Sequence, residues 1–98
     1  MWLVVAFDLP TTTTAARRSA ALFRNALLQR GFERTQWSLY ERRKDGSVDV
    51  LARDISALLP VGGDLWVARM TDDQHDSVAR YRKGQLAALE EPQALVIF

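Results

Sequence analysis

Six consecutive apolar residues, Trp2-Leu3-Val4-Val5-Ala6-Phe7, run without a break into Asp8-Leu9-Pro10, and few environments accept such a segment. It falls short of a membrane span and of a signal peptide's apolar region. Pro10 and the cluster Thr11 to Thr14 end it. What remains is a buried strand that delivers a carboxylate at its C-terminal end. Around it, 98 residues make a single domain with one small core.

A helix is expected to follow, capped by the threonines and reaching about Arg30. Ala16, Ala20, Phe23 and Leu27 recur at steps of four, three and four, a stripe that packs on a sheet. Arg17, Arg18, Arg24 and Asn25 fall on the other side, and Gly31 stands where helices commonly end in a left-handed residue. Phe32 to Arg43 alternates and reads as one long strand. Thr35, Trp37 and Leu39 face one way; Arg34, Gln36, Ser38, Tyr40 and Arg42 face the other, a polar side carrying one ring. Asp45-Gly46 turns the chain, and Ser47 can cap a second helix. The stripe of that helix is Val48, Leu51, Ala52, Ile55, Leu58 and Leu59, and Pro60 with Gly62-Gly63 stops it.

A third strand is predicted over Asp64 to Met70, then a capping box Thr71-Asp72-Asp73-Gln74 and a short helical turn. Val78 to Arg82 reads as a weaker strand, and Ala94 to Phe98 as a terminal apolar one. Two helices on one side of an antiparallel sheet give an α+β fold, the ferredoxin-like β-α-β-β-α-β sandwich with an extra C-terminal strand, its first and third strands central. The other sheet face is left open. A two-fold homodimer covers it, with Gln36, Ser38 and Tyr40 at the interface and Leu95, Val96, Ile97 and Phe98 added to the partner's sheet edge.

Charge is unevenly spread. Residues 1 to 44 hold eight Lys or Arg against three acids, whereas residues 45 to 98 hold five against nine. Eleven of the thirteen cations are Arg, the side chain suited to phosphate forks. Arg17, Arg18 and Arg24 on the first helix, with Arg42, Arg43 and Lys44 at the end of the second strand, have two readings: sequence-neutral phosphate contacts on nucleic acid, or ordinary solvated charge. The chain has no cysteine, which removes disulfides and thiolate chemistry and suits a reducing cytoplasm.

Asp8 also has two readings. Period two puts it with Trp2, Val4 and Ala6, opposite Leu3, Val5 and Phe7, hence on the open face if the latter meet the helices. A two-fold axis near that face brings two Asp8 carboxylates together, a setting for Mg²⁺ or Mn²⁺. Otherwise Asp8 accepts backbone N–H bonds in the turn to the helix. Asp72 and Asp73 read as helix-start residues, Glu90 and Glu91 as a solvated turn, and His75 as an exposed imidazole. No glycine-rich phosphate loop or zinc spacing is present.

The segments VVAFDLP, RRSAALFRNALLQRGFERTQWSLYERR and LLPVGGDLWVARMTDDQ closely resemble the small adaptation subunit of CRISPR systems, the Cas-two family, and most of all its members from single-effector, Cas-nine type systems. The resemblance implies a ferredoxin-like homodimer at the centre of an integration complex, flanked by Cas-one integrase dimers and spanning a short DNA duplex. It implies Asp8 as the metal-associated acid of an endonuclease acting on RNA or double-stranded DNA, in a family whose part in spacer acquisition is chiefly architectural. It places Arg17 and Arg18 against the DNA backbone and makes the tail an exchanged strand. Two other classes fit the same residues. One is a free-standing, toxin-like metal-dependent RNase with Asp8 as its working group; the other is a small ferredoxin-like regulator binding a metabolite between subunits.

Overall fold

The computed structural model describes residues 1–83. In chain order its elements are β1 (Trp2–Asp8), α1 (Thr14–Gln29), β2 (Glu33–Gln36), β3 (Leu39–Arg43), α2 (Asp49–Ser56), β4 (Asp64–Met70) and α3 (Asp72–Asp76). The strands form one antiparallel sheet in the order β2-β3-β1-β4. β1 and β3 are therefore central, and the order is that of the ferredoxin-like fold. Ala94 to Phe98, with the expected partner contacts of Leu95, Val96, Ile97 and Phe98, lies outside the described residues.

Each helix begins and ends where its local chemistry dictates. The Thr13 hydroxyl accepts the Ala16 N–H at 3.0 Å at the start of α1. Past its end Gly31 takes φ +83°, where a Cβ would also meet the Arg42 side chain at 3.3 Å. Ser47 Oγ accepts the Asp49 N–H at 3.2 Å ahead of α2. Thr71 and Gln74 form a reciprocal capping box on α3. The core lies on one side of the sheet: Leu3, Val5 and Phe7 of β1 and Tyr40 of β3 meet Ala20, Phe23 and Leu27 of α1 and Leu51 and Ile55 of α2. The Phe7 ring stands edge-on to Phe23 and tilted to Tyr40, both at 5.3 Å.

Three expectations about the strands are corrected. Phe32 to Arg43 is not one strand but a hairpin. Gln36 pairs with Leu39, leaving Trp37-Ser38 as the turn, and the register shifts between Arg34 and Gln36. This hairpin supplies the second and third strands of the fold, so no strand is needed at Val78 to Arg82, and those residues form none. Finally, the two faces of β3 are the reverse of those expected. Tyr40 pairs with Val5 and is fully buried, and Arg42 pairs with Leu3, so both sit on the helix side; Leu39, Glu41 and Arg43 share the open face with Ala6, Val4 and Trp2. Register against β1 decides this, because directly opposed residues share a face.

The open face is covered at one end. His75 is not an exposed imidazole: its ring stacks on Trp2 at 3.7 Å and its Nε2 lies 2.9 Å from Glu41 Oε2. Arg43 reaches Asp72 on the same helix at 3.0 Å and also binds Asp45. These contacts fold α3 back over the Trp2 end of the sheet. The opposite end stays bare, with Trp66 74% exposed.

Leu27→Ala, at a fully buried site, is expected to cost about 2–5 kcal/mol, read as a lowered urea midpoint with an unchanged slope. The hydrogen bond from Arg43, reinforced by its charge, holds the Asp72 carboxyl below its ordinary range. A carboxyl lowered in the folded state stabilises it above the unfolded pKa, and the contribution is lost as pH falls through the folded value. Acidification below the usual carboxylate range should therefore loosen α3, seen as lost hydrogen-exchange protection at its amides. Asp72→Asn should loosen α3 at neutral pH and remove this part of the pH dependence.

Candidate functional site

Asp8 ends β1 on the helix-free face and is exposed. It makes no side-chain hydrogen bond among the described residues, so the alternative in which it caps the following turn has no contact to support it. Its register partner across β1 and β4 is Asp64. Directly opposed residues of an antiparallel pair keep their Cβ atoms about 4.5–5.5 Å apart on one face. Two carboxylates thus share the bare end of the sheet. Asp64 escaped the sequence reading because only strand register brings it to Asp8.

The donor set has the chemistry of a hard cation. Mg²⁺ commonly takes one or two carboxylates and completes its shell with water and phosphate, and carboxylates alone are offered here. Among the described residues no group of three or more His, Cys, Asp or Glu side chains stands ready to hold a metal. Asp8 and Asp64 are the side chains at this end that could contribute oxygen ligands.

The basic residues divide into three sets, with Arg42 apart from them. Arg17 and Arg18 stand exposed on the first turns of α1, which follows Asp8 in the chain; Arg17 is steadied by the Thr11 carbonyl at 3.1 Å and Thr14 Oγ1 at 3.2 Å. Arg43 and Lys44 lie at the other end of the sheet. Arg43 is paired with Asp72 and Asp45, and Lys44 Nζ donates to the carbonyls of Asp45 and Ser47. Arg43 is neutralised by carboxylates, whereas Arg17 meets only neutral oxygens and Arg18 has no side-chain partner among the described residues. Arg42 lies against Gly31 on the helix side.

Arg24 forms the third set, with two residues the sequence reading left aside in this role. Expected on the outer side of α1, it is half-buried, its Cζ 5.8 Å from the Phe7 ring and 4.9 Å from the Trp37 ring. Arg34 lies over the same indole at 5.4 Å. A helical side chain leans toward the N-terminus of its helix, and so Arg24 extends toward the end where Asp8 stands. The hairpin turn belongs to that end too, since the Phe7 N–H donates to the Ser38 carbonyl at 3.1 Å. Gln36 faces the open side with Leu39, whereas Tyr40 is enclosed in the core.

Concavity does not mark the chemistry. A groove of about 430 Å³ runs between α1 and the loop after α2, past Ala15, Ser19, Leu22, Leu58 and Val61, and no titratable side chain lines it. No helix among the described residues is long and apolar enough to cross a membrane.

Comparison with known proteins agrees with this architecture. Residues 1–78 match the family described as CRISPR associated protein Cas2. A CRISPR-associated endoribonuclease Cas2 of Paracidovorax avenae is 38% identical over 101 aligned positions, covering 100% of this chain and 94% of that protein. The protein of the same description from Parvibaculum lavamentivorans is 33% identical, with 100% of both chains covered. The crystal structure of Streptococcus pyogenes Cas2 at pH 6.5 superposes with a TM-score of 0.62 over 84% of this chain and 100% of that one, at 14% identity.

Proposed function

This chain belongs to the Cas2 family of CRISPR-associated proteins, and on that premise we propose that it is a homodimeric subunit of CRISPR spacer acquisition that binds nucleic acid at its Asp8 end and carries a metal-dependent endonuclease site there. The observation that carries this reading is the position of Asp8: an exposed carboxylate on the uncovered sheet face, opposite Asp64, beside the arginine-bearing start of α1. The related proteins from P. avenae and P. lavamentivorans are described as endoribonucleases. RNA is accordingly the first substrate to test for cleavage, and double-stranded DNA the first for binding.

In this reading each group has a separate task. Asp8 and Asp64 hold the divalent cation through carboxylate oxygens. When bound, Mg²⁺ or Mn²⁺ supplies neutralisation of charge on the phosphodiester. Arg17 and Arg18 contact flanking phosphates and set the position of the backbone without reading its bases. The pinned guanidinium of Arg17 loses little freedom on doing so.

Dimerisation accounts for the bare sheet. Val4, Ala6, Leu39 and Trp66 leave an apolar area open to water on the helix-free side, and a second copy related by a two-fold axis buries it while drawing the two Asp8 residues toward each other. The outer edge of β4 has no strand beside it among the described residues, which leaves a place for a partner's terminal strand. A dimer built this way presents two basic helix starts to one duplex and, in this reading, bridges two Cas-one integrase dimers. A free-standing RNase would share the site but not the bridging role.

Asp8→Asn is expected to lower Mg²⁺- or Mn²⁺-dependent RNA cleavage by about 10²-fold or more while leaving the circular dichroism spectrum and the dimer mass unchanged. Cleavage at the wild-type rate would remove Asp8 from the chemistry. Trp66→Glu should convert the particle from twice the chain mass to once in light scattering. A wild-type monomer at micromolar concentration would refute the two-fold assembly.

A further inference from the structure

Several arginines of this chain find acceptors within the protein. Arg30 binds Asp54 at 2.8 Å, Arg69 binds Asp49 at 2.9 Å, and Arg43 binds two carboxylates. Arg24 and Arg34 are different. Neither makes an ion pair or a hydrogen bond to the protein among the described residues. Both nevertheless sit over one indole, that of Trp37, at 4.9 and 5.4 Å. Two like charges are gathered at a single ring with no ion-pair partner among the described residues, and the ring's attraction for each is weak beside that of a carboxylate or phosphate.

Burial sharpens the imbalance. The Nε of Arg24 is fully shielded from solvent with no acceptor, and so is the hydroxyl of Tyr40, a residue with no exposed surface. A shielded N–H with no acceptor carries a desolvation cost, while the terminal N–H groups of the half-exposed Arg24 fork remain open to a partner from outside. Desolvation, opposed by Tyr40 and aided by Arg34, holds the Arg24 guanidinium below its usual range. Planar forks of this kind fit phosphate oxygens in pairs.

We propose that Arg24 and Arg34, held over Trp37, form a clamp for one backbone phosphate of the bound nucleic acid, at the same end of the sheet as Asp8 but on its helix side. The clamp rests on the nucleic-acid reading above and adds a contact to it. Arg34 of β2 pairs with Tyr40 of β3 and so stands on the helix side of the sheet, whereas Asp8 stands on the open side of β1. The Trp37-Ser38 turn joins the two positions through the Phe7 N–H. A strand rounding this end of the sheet meets the clamp and the carboxylate in succession. Trp37 keeps the two guanidiniums oriented in the absence of nucleic acid, so the forks are in place before the phosphate arrives.

The test uses the full chain in an Asp8→Asn background, where binding is read without cleavage. Affinity for fluorescent single-stranded RNA and duplex DNA is measured by anisotropy across a salt series. Arg34→Gln alone and Arg24→Gln with Arg34→Gln are compared with Arg17→Ala with Arg18→Ala, and Arg53→Gln on α2 is the control. For the double glutamine variant a loss of about tenfold in affinity and a salt slope reduced by about 0.7 on single strands or 0.9 on duplex are expected. Arg34→Gln, exposed and safe for folding, should show part of this loss, and Arg53→Gln none. In parallel the Arg24 Nε–H resonance should shift on adding oligonucleotide and stay in place with inorganic phosphate at equal charge.

If the Arg17 and Arg18 pair flattens the slope but both glutamine variants behave as their parent, the clamp is wrong and the nucleic-acid reading stands. If the resonance responds to inorganic phosphate and not to oligonucleotide, the site is for a free anion and the clamp is again refuted. Absence of any salt-sensitive binding to RNA or DNA would overturn both readings together. Tyr40→Phe separates structure from binding: deleting an unpartnered buried hydroxyl should leave the unfolding midpoint equal or higher, with the clamp's affinity retained.

Discussion

The structure depends on one strand bonded along both of its edges. β1 pairs with β3 on one side and with β4 on the other, so its side-chain alternation is fixed twice over. Leu3, Val5 and Phe7 are committed to the helices, and Trp2, Val4, Ala6 and Asp8 to the opposite face. A slip of one residue would exchange the two sets and put a carboxylate in the core. Everything positioned by register inherits this commitment. Tyr40 is buried because it faces Val5, Asp64 meets Asp8, and Glu41 and Arg43 are turned toward α3.

Much of this was legible in the residues. The stripe on α1, the buried strand before it, the range of β4 and the capping box at Thr71 follow from local periodicity and end chemistry, and each stands where those patterns place it. The hairpin was not legible. Gln36-Trp37-Ser38-Leu39 carries no glycine or asparagine to announce a two-residue turn, and alternation on either side of it reads as one strand. With the turn hidden, the faces of Tyr40 and Leu39 were assigned from polarity alone, and the ring that the core needed was sent outward.

The candidate site was legible only in part, for a different reason. Asp8 is visible because a strand end announces it. Asp64 comes to it by pairing between segments 56 residues apart in the chain, and no local pattern encodes such a meeting. Arg24 was counted as surface because its Cα lies off the apolar stripe; its long side chain then bends back over Phe7 and Trp37, burying its stem while the charge is retained. His75 likewise has no signal in its own neighbourhood. It is captured by Trp2 and Glu41, each far away in sequence.

The short helix α3 occupies one end of the helix-free surface through Trp2, Glu41 and Arg43. It acts there as a doorstop. Any flat body laid against that surface is halted before the Trp2 end, and the footprint left to it is the stretch from Val4 to Asp8 with Trp66 beside it. Such a body cannot slide past the Trp2 end, so the area it can occupy is weighted toward the acidic rim.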